Sequence, residues 1–160
     1  MAVISAGILL YRRRHGQLEV LLGHPGGPFW ARQDHGSWSV PKGLAEPDEA
    51  LDAVAAREFG EETGFALRAV ARDPSAAPID LGEVTLKSGK VIRAWAVEGD
   101  LDASKAVSNE CDIEWPPRSG RTITIPEVDR LAWFDTDEAR LRAHPVQAAF
   151  VDRLLTHLGE

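Results

Sequence analysis

The chain reads as an α/β fold in which a mixed β-sheet is covered by helices on both faces. Apolar, β-prone runs open it, an Ala/Leu/Glu-rich segment interrupts them, further strands follow, and an amphipathic segment closes it. With 160 residues, against about 100 to 200 per domain, a single unit over residues 1–160 is expected. A chain of about 150 residues buries roughly 70% of its unfolded surface. The 44% of hydrophobic residues therefore supply a core without disulfides or a structural metal.

Residues 2–11 and 18–23 are two β-prone runs joined by Arg12-Arg13-Arg14-His15-Gly16-Gln17, which predicts a hairpin. The arginine triplet reads as its solvated tip, with contact to a polyphosphate tail or an RNA 5′ end as the alternative. Residues 24–36, rich in Gly, Pro and aromatics, form an ordered loop leading to a short strand at 38–40. Pro47 at one end and Gly60 and Gly64 at the other predict a helix over residues 47–59. Residues 81–86 and 91–97 flank Lys87-Ser88-Gly89-Lys90 as a second hairpin. After a small, polar stretch at 101–106, strands are expected at 109–115, 121–125 and 131–134, with a turn at 116–120. From Thr136 the chain reads as helical, and Pro145 opens a terminal helix that aligns Val146, Phe150, Leu154 and Leu158.

Composition narrows the function classes. The lone Cys111 cannot form an internal disulfide, and no Cys/His cluster has zinc spacing, so a reducing cytoplasm is expected. Residues 1–10 are apolar, but no basic residue precedes them, and they read as a strand rather than a signal peptide. No later apolar run approaches the roughly 20 residues that span a bilayer. A net charge of −7 and a pI near 5.2 count against nucleic acid as a partner, since backbone binding needs a basic surface. A small substrate held locally is the expectation.

The middle helix carries the strongest chemical signal. At about 100° per residue, Leu51, Val54, Ala55 and Phe59 share one side, and Glu58 falls between Val54 and Phe59. Glu62 follows one turn later if the helix continues through Gly60. Solvated glutamates would lie opposite the apolar stripe, whereas these lie on it. Two carboxylates about 4 Å apart repel by roughly 4 kcal/mol at an effective dielectric near 20, and burial adds to the cost. Glu58, Glu61 and Glu62 at spacing i, i+3, i+4 can converge on one point, and such oxygen ligands suit Mg²⁺ or Mn²⁺. The plain counterpart is a surface helix with surplus glutamates. Arg57 and Glu49, two turns apart, either orient those glutamates or form an ordinary helix salt bridge.

Gly43, five residues, Glu49, seven residues and Arg57-Glu58-Phe59-Gly60-Glu61-Glu62-Thr63-Gly64-Phe65 together resemble the complete Nudix signature. The resemblance implies an α/β/α sandwich with a mixed sheet and a metal-dependent hydrolase that cleaves a phosphoanhydride bond. It implies Glu58 and Glu62 as principal Mg²⁺ ligands, Glu61 in support, the Gly43 carbonyl as a further ligand, and Arg57 and Glu49 as orienting groups. A general base or extra ligand in this family comes from a later loop. Residues 126–134 resemble the segment that carries it, which points to Glu127, with Glu110 and Glu114 as alternatives.

Pro41-Lys42-Gly43 resembles the approach to the signature in diadenosine tetraphosphate hydrolases and diphosphoinositol polyphosphate phosphohydrolases. Lys42 is thereby expected to hold a phosphate, unless it is an exposed turn lysine. Phe29, Trp30 and Trp38 are candidates for stacking on an adenine, although Trp38, and more so Trp95 and Trp133, also read as core. Arg93 and Arg118 are candidates for distal phosphates. A dinucleoside polyphosphate is the leading substrate. Diphosphoinositol polyphosphate, inorganic polyphosphate or an RNA 5′ end is the alternative, and a non-catalytic nucleotide-binding regulator is the third reading.

Overall fold

The computed structural model describes residues 3–160. Strand β1 (Ile4–Arg14) pairs with β2 (Gln17–Pro25) through a two-residue turn in which His15 and Gly16 have φ of 53° and 77°. Two positive φ values match the twist of the flanking strands. The arginine triplet is therefore part of β1 and does not form the tip. Arg12 pairs with Glu19 and Asp100, and Arg13 with Glu160. Residue 2, expected to begin this strand, lies outside the described residues.

Beside the first half of β1 lies the short β3 (Lys42–Leu44), antiparallel, with Gly43 opposite Ala6. The strand expected at 38–40 is reduced to isolated bridges, Trp38 to Ala143 and Ser39 to Gly23. Helix α1 spans Leu51–Thr63, starting and ending four residues later than predicted. Pro47 precedes it because a turn intervenes, closed by the Glu46 N–H donating to the Glu49 carboxylate at 2.9 Å. Gly60 is interior to the helix. Gly64, at φ 80°, is the residue that ends it, a left-handed position that glycine occupies without a Cβ penalty.

A one-turn helix, α2 (Leu67–Val70), leads to the hairpin β4 (Ile79–Thr85) and β5 (Val91–Glu98). Strand β5 runs parallel to β1, from Ile4 opposite Val91 to Tyr11 opposite Glu98. Parallel pairing needs a crossover connection, and α1 lies within it. After a 3-10 turn at Ala103–Lys105, β6 (Glu110–Glu114) and β7 (Thr122–Pro126) form their own two-stranded sheet. Strand β8 (Val128–Asp135) returns to pair with β2, giving the order β4-β5-β1-β2-β8 with β3 on β1.

Helices α3 (Thr136–Arg142) and α4 (Ala148–Leu158) close the chain. Pro145 lies in the turn before α4, because Gln147 is spent elsewhere: its carboxamide accepts from the Val40 N–H and donates to Ser39 Oγ. The sheet buries both faces. Ala6, Ile8 and Leu10 pack with Val54, Ala55 and Phe59 of α1, while Leu9 and Tyr11 pack with Phe150, Val151 and Leu154 of α4. This two-residue alternation builds the expected α/β/α sandwich around a mixed sheet.

Candidate active site

The buried stripe of α1 is apolar at its start and acidic at its end. Val54, Ala55, Glu58, Phe59, Glu62 and Thr63 are all buried, so the face that enters the core in the first turns brings carboxylates inward in the last ones. Glu58 lies against the β3 backbone. A Cβ built on Gly43 would stand 2.0 Å from the Glu58 carboxyl carbon, so glycine is what lets that carboxylate lie in this position against the β3 backbone. Glu62 Oε1 accepts from the Lys42 N–H at 3.2 Å.

Burial and neighbouring charge mark both groups. Desolvation pushes the Glu62 carboxyl up to about 8, opposed by the Lys42 charge and N–H and reinforced by Glu127 and Glu58. Glu58 is raised by burial and by the charges of Glu61 and Glu127, with Arg57 acting against them. The Arg57 guanidinium contacts Glu58 at 3.1 Å, Glu61 at 3.3 Å and Glu49 at 3.2 Å. It runs along the outer side of α1 and holds Glu58 and Glu61 from outside the cavity they line.

Glu127 arrives from the junction of β7 and β8, and main-chain bonds fix its place. Its N–H donates to the Asn109 carbonyl at 2.9 Å, and the Asn109 N–H donates to the Glu61 carbonyl at 2.8 Å. Residues 107–109 are thus a strap between the end of α1 and Glu127, reinforced by the Val107 N–H on the Thr63 carbonyl at 3.0 Å. On its other side the Glu127 carbonyl accepts from Gly26 N–H at 3.0 Å.

These elements enclose a cavity of about 440 Å³ lined by Lys42, Gly43, Glu58, Glu61, Glu62 and Glu127. Lys90, from the β4–β5 turn, lines it as well. Four carboxylates against two lysines leave it anionic, and its donors are hard oxygens, the chemistry that suits a divalent cation such as Mg²⁺. Among the described residues no three His, Cys, Asp or Glu side chains already surround a single point, so ligation would require the carboxylates to converge.

Other expected residues lie elsewhere. Trp38 is 2% exposed in the α4-side core, where its Nε1 donates to Asp34, and it has no free face for a base. Arg93 is paired with Asp80 and Glu83 across the β4–β5 hairpin rather than facing the cavity. Arg118 lies in the β6–β7 turn, whose N–H groups at Arg118 and Gly120 donate to the Glu114 carboxylate. Glu114 therefore closes that turn, and Glu110 is exposed at the start of β6. Neither lines the cavity. Arg12 to Arg14 lie at the far end of β1, about 20 Å from Ala6 at ~3.3 Å per residue. Trp95 and Trp133 are half-buried in the α1-side core, as expected.

Two further residues that line the cavity, Lys90 and Asn109, are not marked by any local sequence pattern. Lys90 was legible only as part of a turn, because nothing local states which way a hairpin tip leans. Asn109 acts through its backbone, which its side chain does not announce.

A NUDIX domain profile matches residues 1–154. The fold is similar to that of a C. elegans Ap4A hydrolase binary complex, at TM-score 0.67 and 18% identity over 97% of this chain and 98% of that one. It is similar also to the NUDIX domain of Shewanella oneidensis NrtR complexed with ADP ribose, at TM-score 0.64 and 16% identity, covering 99% and 89%. A Nudix hydrolase from M. smegmatis, RenU, matches at TM-score 0.56 and 25% identity over 97% and 84%. No curated protein matches at the sequence level. On the profile match over nearly its whole length, the chain belongs to the NUDIX domain family, hydrolases of pyrophosphate bonds that generally use divalent metal ions.

Proposed function

We propose that this chain is a Mg²⁺-dependent pyrophosphohydrolase of dinucleoside polyphosphates such as diadenosine tetraphosphate, working as one unit in a reducing cytoplasm. The observation that carries the reading is the single cavity in which Glu58, Glu61, Glu62 and Glu127 meet Lys42 and Gly43. Glu58, Glu62 and the Gly43 carbonyl hold the metal, and Glu61 supports it. A bound Mg²⁺ neutralises phosphate charge and lowers the pKa of water. The Lys42 ammonium binds a phosphate oxygen as a compact point charge. The Glu127 carboxylate accepts the proton of the attacking water. Arg57 and Glu49 keep Glu58 and Glu61 aimed from behind.

The two lysines favour a linear polyphosphate chain over a densely phosphorylated ring, which would need a larger cationic surface. The likeness in fold to an Ap4A hydrolase is in keeping with this choice. All the signature glutamates stand in place, which counts against a non-catalytic regulator. The test is product analysis of the purified chain with Mg²⁺ on diadenosine tetraphosphate, ADP-ribose, 8-oxo-dGTP, diphosphoinositol pentakisphosphate and triphosphorylated RNA. ATP and AMP from diadenosine tetraphosphate at the highest kcat/KM are expected; a preference for another compound overturns the substrate, and full activity in EDTA overturns the metal chemistry.

A further inference from the structure

Strands β1 and β2 pair only near their turn, from Tyr11 opposite Val20 to Arg14 opposite Gln17. Below that they part, and residues 38–44 enter between them. Ser39 exchanges both main-chain bonds with Gly23 of β2, at 2.8 and 2.9 Å, while Lys42 stands opposite Gly7 of β1. The segment therefore changes partner strand between Ser39 and Lys42. It does so immediately before the two residues, Lys42 and Gly43, that β3 presents to the catalytic cavity.

The change of partner falls on Val40. Pro41 has no N–H, and its carbonyl accepts from the Ile8 N–H at 3.1 Å. Val40 is buried, and among the described residues neither of its main-chain groups meets another main-chain group. Gln147, 4% exposed at the start of α4, takes their place. Its Oε1 accepts from the Val40 N–H at 3.0 Å, its Nε2 donates to Ser39 Oγ at 3.0 Å, and Ser39 Oγ donates to the Val40 carbonyl at 2.8 Å. The ring is closed. Its helical side is fixed as well, because the Gln147 N–H donates to the His144 carbonyl and the His144 N–H to the Trp38 carbonyl, both at 2.8 Å. A buried N–H that loses its partner carries its full desolvation cost, so the backbone shifts to find another. Toward β1 there is no slack: a Cβ on Gly7 would fall 2.6 Å from the Pro41 carbonyl oxygen and 2.8 Å from the Lys42 Cβ. A shift at Val40 is therefore passed along the chain to Lys42, whose N–H holds Glu62.

We infer that Gln147 is a positioning residue for hydrolysis, setting Lys42 and Gly43 against Glu62 and Glu58 from the opposite face of the sheet through its bonds to Val40 and Ser39. This rests on the roles proposed above for Lys42 and Gly43. Gln147 touches neither the cavity nor anything bound in it, and it acts only through the backbone that precedes β3.

The test compares kcat for the panel compound that wild type cleaves fastest, in Mg²⁺ and at a temperature where circular dichroism shows every variant folded. Gln147→Met keeps the length and packing of the side chain and removes both hydrogen bonds, whereas Gln147→Glu keeps an acceptor for the Val40 N–H. Phe150→Leu, in the same face of α4, loosens the core without touching Val40 and serves as the control for stability alone. Gln147→Met is expected to lower kcat by about 10-fold or more, since a displacement of about 1 Å at reacting groups costs up to about 100-fold. Gln147→Glu should stay within a few-fold of wild type whatever its Tm, and Phe150→Leu should keep its kcat while its Tm falls. Wild-type kcat in folded Gln147→Met overturns the inference, as do equal losses in all three variants, which would make the effect one of stability. Lys42→Ala, measured alongside, separates the two levels of the argument. If it impairs turnover and Gln147→Met does not, the positioning role fails and the proposed role of Lys42 stands; if Gln147→Met impairs turnover and Lys42→Ala does not, the positioning role stands through Gly43 and the phosphate role of Lys42 fails.

Discussion

Replacing Glu62 by Gln should stabilise the metal-free protein, and by an amount that grows with pH. The Glu62 carboxyl is raised from 4.5 to about 8 by burial, so the folded state holds its proton where the unfolded chain has released it. Stability is then lost as pH rises from the unfolded value, and the loss levels off above the folded one. At 1.36 kcal/mol per unit, the penalty grows by about 3 kcal/mol between pH 5.5 and 8. Glutamine keeps an acceptor for the Lys42 N–H but does not titrate. For a domain of this size 1 kcal/mol moves Tm by about 2 to 4 °C. The Tm advantage of Glu62→Gln in EDTA should therefore widen by about 6 to 12 °C across that range. Thermal unfolding followed by circular dichroism, repeated in saturating Mg²⁺, measures it. Metal should raise wild type far more than the variant. Parallel Tm–pH curves in EDTA would refute the burial argument.

Gly43→Ala should cost at least about 100-fold in kcat while changing Tm little, since the new methyl displaces the movable Glu58 carboxylate rather than backbone; equal activity would show that Glu58 needs no such approach. Lys90→Ala should raise KM for diadenosine tetraphosphate by about 10-fold and leave the Tm within a degree or two, because Lys90 lines the anionic cavity from an exposed turn. An unchanged KM would place its ammonium out of reach of substrate.

Much of the site was legible because α1 carries two messages in one period. Glu58 and Glu62 stand out on the helical wheel because they occupy positions where Val54 and Phe59 demand burial, and the structure buries them. Other features needed information that no local pattern holds. The pairing of Arg93 depends on the β4–β5 register, which shifts between Asp80 and Glu83. Trp30 and Trp38 lie eight positions apart, and it is the approach of His24 and Phe134 to the Trp38 ring, with the Asp34 carboxylate on its Nε1, that makes Trp38 core. The alternation of β6 and β7 resembles that of edge strands in the main sheet, so their separation into a ribbon was invisible.

That separation, together with the strap at residues 107–109, divides labour within the chain. Main-chain bonds at Asn109 tie Glu127 to α1 and the bond from Gly26 ties it to the end of β2, and neither depends on the side chains of the ribbon. Side-chain substitutions within residues 112–124 therefore leave these main-chain bonds, and the position of Glu127, in place. The ribbon is the part of the chain least bound to the main sheet, and its side chains are free to vary independently of the spacing that the strap enforces.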